Sequence, residues 1–313
     1  MRCTSQLAVR FREDLTLDGK QPRTIDAYLY AVSQLARHFA TSPDKLSEAQ
    51  VREYLLWQRK HKALNSMRPI LAGIKKFYLL TEPRDWKTLA AMRLPKHRTM
   101  PRVLVPERVW ELIQATNALH LKTMFRTAFT CGLRTGDLQA LTVHDIDKDR
   151  MSLNIRSTKG LNQRCVPLPP ATYQALRDYW VTHRNKLWLF PSRQSLSEIA
   201  TTDRPVSERT IQRGFREVVR SLDWDSDKLV PHTLRHSYAT AMLDEGVNLK
   251  VLQMYLGHKN LQATEIYLHL TRRGDDKARR IVETFFNGPT LAGQSTPPET
   301  PPQSGSQLGS RSV

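Results

Sequence analysis

The sequence predicts a mainly α protein with a small β-sheet, built as an all-helical N-terminal domain followed by an α+β domain. Three observations carry this. Through residue 82 the apolar residues recur only at helical spacing. One stretch, Met151 to Leu168, shows the two-residue alternation of strands. Between them, residues 83–103, PRDWKTLAAMRLPKHRTMPRV, mix Pro, Lys, Arg and His with no sustained period. At 313 residues the chain is long enough for two parts that each bury a core.

In chain order, Thr24 to Phe39 places Ile25, Tyr28, Leu29, Val32, Leu35 and Phe39 on one helical stripe. Ser47 and Gln50 have capping-box spacing ahead of Val51, Tyr54 and Leu55. A further helix starts at Ser66, because Met67, Ile70, Leu71, Ile74, Phe77 and Tyr78 fall three and four apart. Pro69 then lies in its first turn, where a missing N–H is harmless. Three stripes make a small bundle over residues 1–82, with Arg37, Arg52, Arg59, Lys60, Lys62, Lys75 and Lys76 between them. Residues 83–103 read as a linker, with the boundary near Lys96.

From Val105 the pattern is mixed. Pro106-Glu107 opens a helix through Leu112-Ile113, and Leu121 to Phe129 forms another. Met151 to Ile155 alternates as a strand, and Arg164 to Leu168 pairs with it across a turn containing Gly160 and Asn162. That arrangement sets Lys159 toward the tip of a hairpin. Helices follow near Ala171 to Thr182, Ser207 to Leu222 and Thr233 to Glu245, with a short apolar segment, Leu187 to Phe190, between the first two. Ala278, Ile281, Val282, Phe285 and Phe286 form a last stripe that Gly288-Pro289 stops, so the second domain spans 104–288. Residues 289–313, rich in Pro, Ser, Gly and Gln, are expected to be disordered.

Charge narrows the function. With 48 Lys+Arg against 30 Asp+Glu the formal charge is +18, which points to a polyanionic partner, nucleic acid before membrane. Residues 1–100 carry 19 basic and 9 acidic residues, and residues 101–313 carry 29 and 21, so both parts can meet phosphates. No window approaches the roughly 18 apolar residues of a membrane span, and the N-terminus lacks a signal-peptide core, so a cytoplasmic protein is expected. Cys3, Cys131 and Cys165 are far apart with no CxxC pair, which favours neither a disulfide framework nor a zinc site. No metal or cofactor is expected.

The chemistry gathers between Pro231 and Leu270, PHTLRHSYATAMLDEGVNLKVLQMYLGHKNLQATEIYLHL. His232 and Arg235 are three apart, so a helix starting at the PHT turn presents both to one side, where a helix N-terminus and a guanidinium fork suit phosphate. His258 follows in a GH turn, and Tyr267 offers a phenol. Upstream, CGLRTGDLQAL supplies Arg134 and STKGLNQRCVPLP supplies Lys159.

This order of Arg, Lys, HxxR, His and Tyr resembles the tyrosine recombinase (phage integrase) family. In that family the first Arg sits in a GLR turn, the Lys in a hairpin before a VPLP-like strand, and the Tyr shortly after the His of an LGH turn. The resemblance covers residues 5–286. It implies an N-terminal SAM-like helical core-binding domain and an α+β tyrosine recombinase catalytic domain. It also implies a site-specific recombinase, an integrase or resolvase, that cleaves and rejoins double-stranded DNA through a covalent 3′-phosphotyrosine. One departure stands out: RTGD replaces the more usual Arg, hydrophobic residue, Ser and Glu, shortening the acid to Asp137 and placing Gly136 beside it.

A phosphodiester attacked by a phenol gains negative charge on its non-bridging oxygens, and two guanidiniums and two imidazoles can offset it. Arg134 and Arg235 are the candidate clamp. His232 and His258 donate hydrogen bonds, and His232 can also take the phenol's proton. Tyr267 is the candidate nucleophile, and Lys159 delivers a proton to the leaving 5′ oxygen, which is also the role the resemblance implies. A monomer that becomes a tetramer on paired DNA sites is expected, with the helix near Lys277 to Phe286 docking on a neighbour and the protein associated with the nucleoid. Two alternatives remain open: a type IB topoisomerase-like nicking and rejoining enzyme, and a catalytically inactive DNA-binding relative.

Overall fold

The computed structural model describes residues 5–95, 100–156, 163–193, 197–225 and 228–271. The chain divides into two compact units at Thr99/Met100.

Through residue 82 the described residues of the N-terminal unit form one α-helix more than the three stripes predict. That helix, α1 (Gln6–Leu17), buries only Phe11 and Leu15, too short a stripe to stand out among its charged neighbours. In α2 (Pro22–Phe39), Ile25, Val32 and Leu35 face the core as expected. The capping box before α3 (Glu48–His61) is formed in both directions: Ser47 Oγ accepts from the Gln50 N–H, and Gln50 Oε1 accepts from the Ser47 N–H at 3.0 Å. Helix α4 (Leu64–Lys76) begins two residues earlier than the spacing predicts. Pro69 therefore lies beyond the first turn and forfeits a bond to the Asn65 carbonyl. Gly73 lets α4 approach α2 closely, since a Cβ there would sit 3.0 Å from the Tyr28 Cα. A π-helical turn, Phe77–Thr81, follows and sets Phe77 edge-on to Phe11 at 5.3 Å.

The stretch read as a linker contains a five-residue helix, α5 (Lys87–Ala91). Its Leu89 is buried in the N-terminal core, and Trp86, Met92 and Leu94 pack beside it. The Lys75 ammonium fastens the segment by donating to the carbonyls of Ala90 (2.8 Å) and Met92 (2.6 Å). A helix with one buried residue has no period to read.

The second unit sets helices α6 (Pro106–Ala115), α7 (Leu119–Thr130), α8 (Thr135–Ala140), α9 (Pro170–Val181), α10 (Glu208–Ser221), α11 (His232–Asp244), α12 (Leu249–Leu256) and α13 (Gln262–Glu265) around one apolar core. A three-stranded antiparallel sheet lies in the order β1 (Ile146–Asp147), β2 (Ser152–Ile155), β3 (Arg164–Pro167). The predicted hairpin is β2–β3, in the register Leu153 opposite Val166 and Ile155 opposite Arg164. Leu153, Ile155 and Val166 point inward. Strand β1, two residues long, carried no alternation to predict it. Lys159, Gly160, Asn162, the helix expected over Ala278 to Phe286 and the tail 289–313 lie outside the described residues. Among the described residues no helix is long and apolar enough to cross a membrane.

Candidate active site

The first arginine owes its place to a glycine. Helix α7 ends at Cys131, and Gly132 takes φ +62°, a conformation that an L side chain adopts only with strain. The chain reverses there, closed by Leu133 N–H to the Ala128 carbonyl at 3.0 Å, and delivers Arg134 to the start of α8. Asp137 then caps that start by accepting the Arg134 backbone N–H at 2.9 Å. The shortened acid thus reaches the backbone it must hold. Gly136 has an ordinary backbone within α8. Among the described residues the Arg134 guanidinium makes no hydrogen bond. Burial lowers its pKa, with Asp137 opposing the shift.

Arg235 departs from the expectation of an open fork at a helix N-terminus. It is fully buried, and its guanidinium reaches inward from α11. Nη1 donates to the Gly132 carbonyl at 2.7 Å, and Nη2 donates to the Leu256 carbonyl at 2.5 Å and to His258 Nε2 at 3.0 Å. At the helix start the Thr233 N–H is bonded to the Val230 carbonyl at 2.8 Å, so that donor is not free. Among the described residues the buried Arg235 Nε has no acceptor in hydrogen-bonding geometry. A buried cationic donor without a partner is costly, and an anion at this point would satisfy it. Burial and the neighbouring arginines bring Arg235 down to about 9.

His258 follows Gly257, which ends α12 in the left-handed conformation (φ +62°). Because an arginine can only donate, the His258 Nε2 must accept from Arg235, and Nδ1–H must donate to Thr264 Oγ1 at 2.9 Å. The imidazole is neutral: burial, then Arg235 and Arg134, push its pKa down to about 3. The Thr264 hydroxyl can accept or donate, so the Nδ1 side keeps its partner in either tautomer, while a proton on Nε2 gives up the bond from Arg235.

Tyr267 is 2% exposed, with its ring stacked 6.3 Å from that of His258. Burial raises its pKa, while Arg235 and Arg134 oppose the rise. The atom at its hydroxyl is His236 Nδ1, at 2.9 Å. The sequence offered His232 as a group able to take the phenol's proton; the ring in hydrogen-bonding reach of the phenol is that of His236. His232 lies one turn back on α11 and meets His236 edge-on at 4.5 Å, with no hydrogen bond to the phenol among the described residues. Residues four apart on a helix share a face, so the two rings line up and only the second reaches Tyr267. Burial, aided by His232 and Arg235, brings His236 to about 4, which leaves Nδ1 free to accept at neutral pH. His232 is likewise lowered to about 4, by burial and then Arg235 and Arg134.

Five of the six expected residues therefore have described positions: Arg134, His232, Arg235, His258 and Tyr267. Lys159 is the sixth and lies outside the described residues. Three contributors went unread. His236 stands directly after Arg235 and at helical spacing from His232, a signal that was present in the sequence. Thr264 and Arg164 had none beyond their nearness to motif residues. Among the described residues no three His, Cys, Asp or Glu side chains converge as a metal site.

Comparison with known proteins decides the family. The phage integrase family matches residues 102–273, and its N-terminal SAM-like domain matches residues 7–88. The chain belongs to the phage integrase family. An integrase/recombinase of Sinorhizobium fredii is 31% identical over 267 residues, 84% of each chain. Tyrosine recombinase XerA of Pyrococcus horikoshii is 25% identical over 293 residues, 91% of this chain and 97% of that one. The fold is similar to that of a lambda integrase dimer bound to a COC′ core site, with TM-score 0.68 and 18% identity over 83% of this chain and 93% of that one. The protein is thus a tyrosine recombinase, an enzyme of site-specific DNA recombination, and the relaxation-only and inactive readings are not favoured.

Proposed function

We propose that this integrase-family enzyme cleaves duplex DNA with Tyr267, assisted by Arg134, Lys159, His232, Arg235 and His258, and that it exchanges strands as a tetramer on paired sites. The observation that carries the residue assignment is the meeting of Arg235, His258, His236 and Tyr267 within hydrogen-bonding and stacking distance, around a buried guanidinium Nε that has no acceptor among the described residues.

In this reading a non-bridging phosphate oxygen takes the unfilled donors of Arg235 and the unbonded guanidinium of Arg134. His232 and His258 donate to the same oxygens, His258 after its proton passes to Nε2 with Thr264 donating in return. Tyr267 Oη attacks phosphorus as its O–H bond breaks, and the proton goes to His236 Nδ1. The bond from phosphorus to the 5′ oxygen breaks, and Lys159 protonates the leaving oxygen. The 3′-phosphotyrosine keeps the bond energy, so a 5′-hydroxyl from another strand can reverse the step without a nucleotide cofactor.

Contact with DNA follows from charge. Helix α10 buries Ile211, Phe215, Val218 and Val219 and leaves Arg209, Arg213, Arg216 and Arg220 on its exposed side, a spacing suited to phosphates and base edges along a groove. Tetramer assembly draws on the lambda integrase tetramer bound to a Holliday junction, which this chain resembles in fold (TM-score 0.68).

The test is trapping on a nicked suicide substrate. Wild type forms an adduct that survives denaturation and maps to Tyr267, whereas Tyr267→Phe binds the same DNA and forms none. An adduct from Tyr267→Phe would refute the assignment.

A further inference from the structure

Arg164, the first residue of β3, is a second buried arginine at this site that the mechanism does not use. Its side chain is 8% exposed. Nη2 bonds Asp137 Oδ2 at 2.5 Å, and Nε donates to the Tyr255 carbonyl at 2.8 Å. Both partners belong to catalytic elements. The same Asp137 oxygen accepts the Arg134 backbone N–H, and Tyr255 lies in the last turn of α12, three residues before His258.

The space for Arg164 is shaped by the backbone. A Cβ on Gly257 would fall 2.9 Å from the Arg164 Cδ and 3.2 Å from its Nη1, so the left-handed glycine before His258 also makes room for the arginine stem. Charge points the same way. Arg134, Arg164 and Arg235 all depress His258, and Asp137 is the buried acid set against them. A carboxylate serving both a backbone N–H and a guanidinium is fixed in direction, as is a guanidinium serving both a carboxylate and a carbonyl.

We propose that Arg164 is a positioning residue: from the β3 strand it ties the α8 start that carries Arg134 to the α12 end that carries His258, setting the spacing of the two phosphate ligands. It acts through Asp137 and the Tyr255 carbonyl and does not touch the DNA. This rests on the assignment of Arg134 and His258 to the phosphate.

Arg164→Ala, Arg164→Lys and wild type are compared by thermal melting, by affinity for a duplex carrying the site, and by the rate of adduct formation at saturating DNA. Lysine keeps the charge but presents one point donor where two divergent bonds are needed. Both variants are expected to bind DNA within about threefold of wild type and to form adduct about 100-fold more slowly, on the order of 2.7 kcal/mol of barrier. A lysine variant with the wild-type rate, or rates that fall only with the folded fraction, would overturn the proposal. The ring signals of His258 in the DNA-free protein give a readout independent of cleavage: they shift in Arg164→Ala if the tie is real, and unchanged signals overturn it. A wild type that forms no adduct at Tyr267 would refute the site assignment and leave the His258 signals to decide on Arg164.

Discussion

Replacing Gly132 by alanine tests whether one backbone position sets the geometry of both arginines. The residue has φ +62°, and an added Cβ would lie 2.5 Å and 2.6 Å from Cδ1 and Cε1 of Tyr238. Left-handed backbone costs an alanine about 1–2 kcal/mol. The overlap is about 1 Å against a ring that is only 7% exposed, so it cannot swing away, and overpacking of this kind costs about 1–3 kcal/mol. The sum is about 2–5 kcal/mol, a fall of roughly 4–20 °C in the melting of a unit this size. Because the Gly132 carbonyl accepts from Arg235, adduct formation should fall further than stability alone explains. Gly136→Ala is the control: nothing lies within 4 Å of its Cβ and its φ is ordinary, so melting should hold or rise. Scanning calorimetry reads both variants. A shift under about 2 °C for Gly132→Ala, with full cleavage, would refute the reasoning.

Three further outcomes follow from the same geometry. His236→Ala removes the acceptor at the phenol and should slow adduct formation at pH 7 by about 100-fold or more with DNA affinity unchanged, whereas an unaltered rate would return the proton to another group. His232, His236 and His258 have folded pKa values lowered to about 4, 4 and 3, below the unfolded value near ~6.5. The unfolded chain therefore binds more protons through this window, and the stability present above about pH 6.5 is lost as pH falls toward 4; a melting temperature constant from pH 7 to 5 would contradict this. Each phosphate neutralised should add about −0.9 to the slope of log affinity against log salt, and cleavage should survive EDTA; a slope near zero, or loss of activity with chelator, would count against a site built on guanidiniums and imidazoles.

How much was legible depended on whether the signal was local. The capping box at Ser47 and Gln50 and the pairing of β2 with β3 are short-range rules, and the chain follows them. The motif order picked out Arg134, His232, Arg235, His258 and Tyr267, and the fold brings His258 to Arg235 and stacks Tyr267 beside His258. Direction was not legible. Spacing placed His232 and Arg235 on one side of a helix but could not say that Arg235 turns inward to carbonyls 103 and 21 residues away in sequence. The same limit hid Arg164, whose two partners lie 27 and 91 residues off, and α5, whose place depends on a core assembled from other helices.

The clasp on Arg235 has a consequence for retargeting this enzyme. Two of its three bonds go to main-chain oxygens, Gly132 and Leu256, which persist whatever side chains surround them. The reactive centre is therefore insulated from sequence drift on the exposed side of α10, where the arginines at 209, 213, 216 and 220 sit on a separate helix. With α10 reading DNA as proposed, libraries that randomise those four positions should keep the proposed phosphate clamp in most members, whereas diversity placed at Gly132 or Gly257 should remove activity on every site at once.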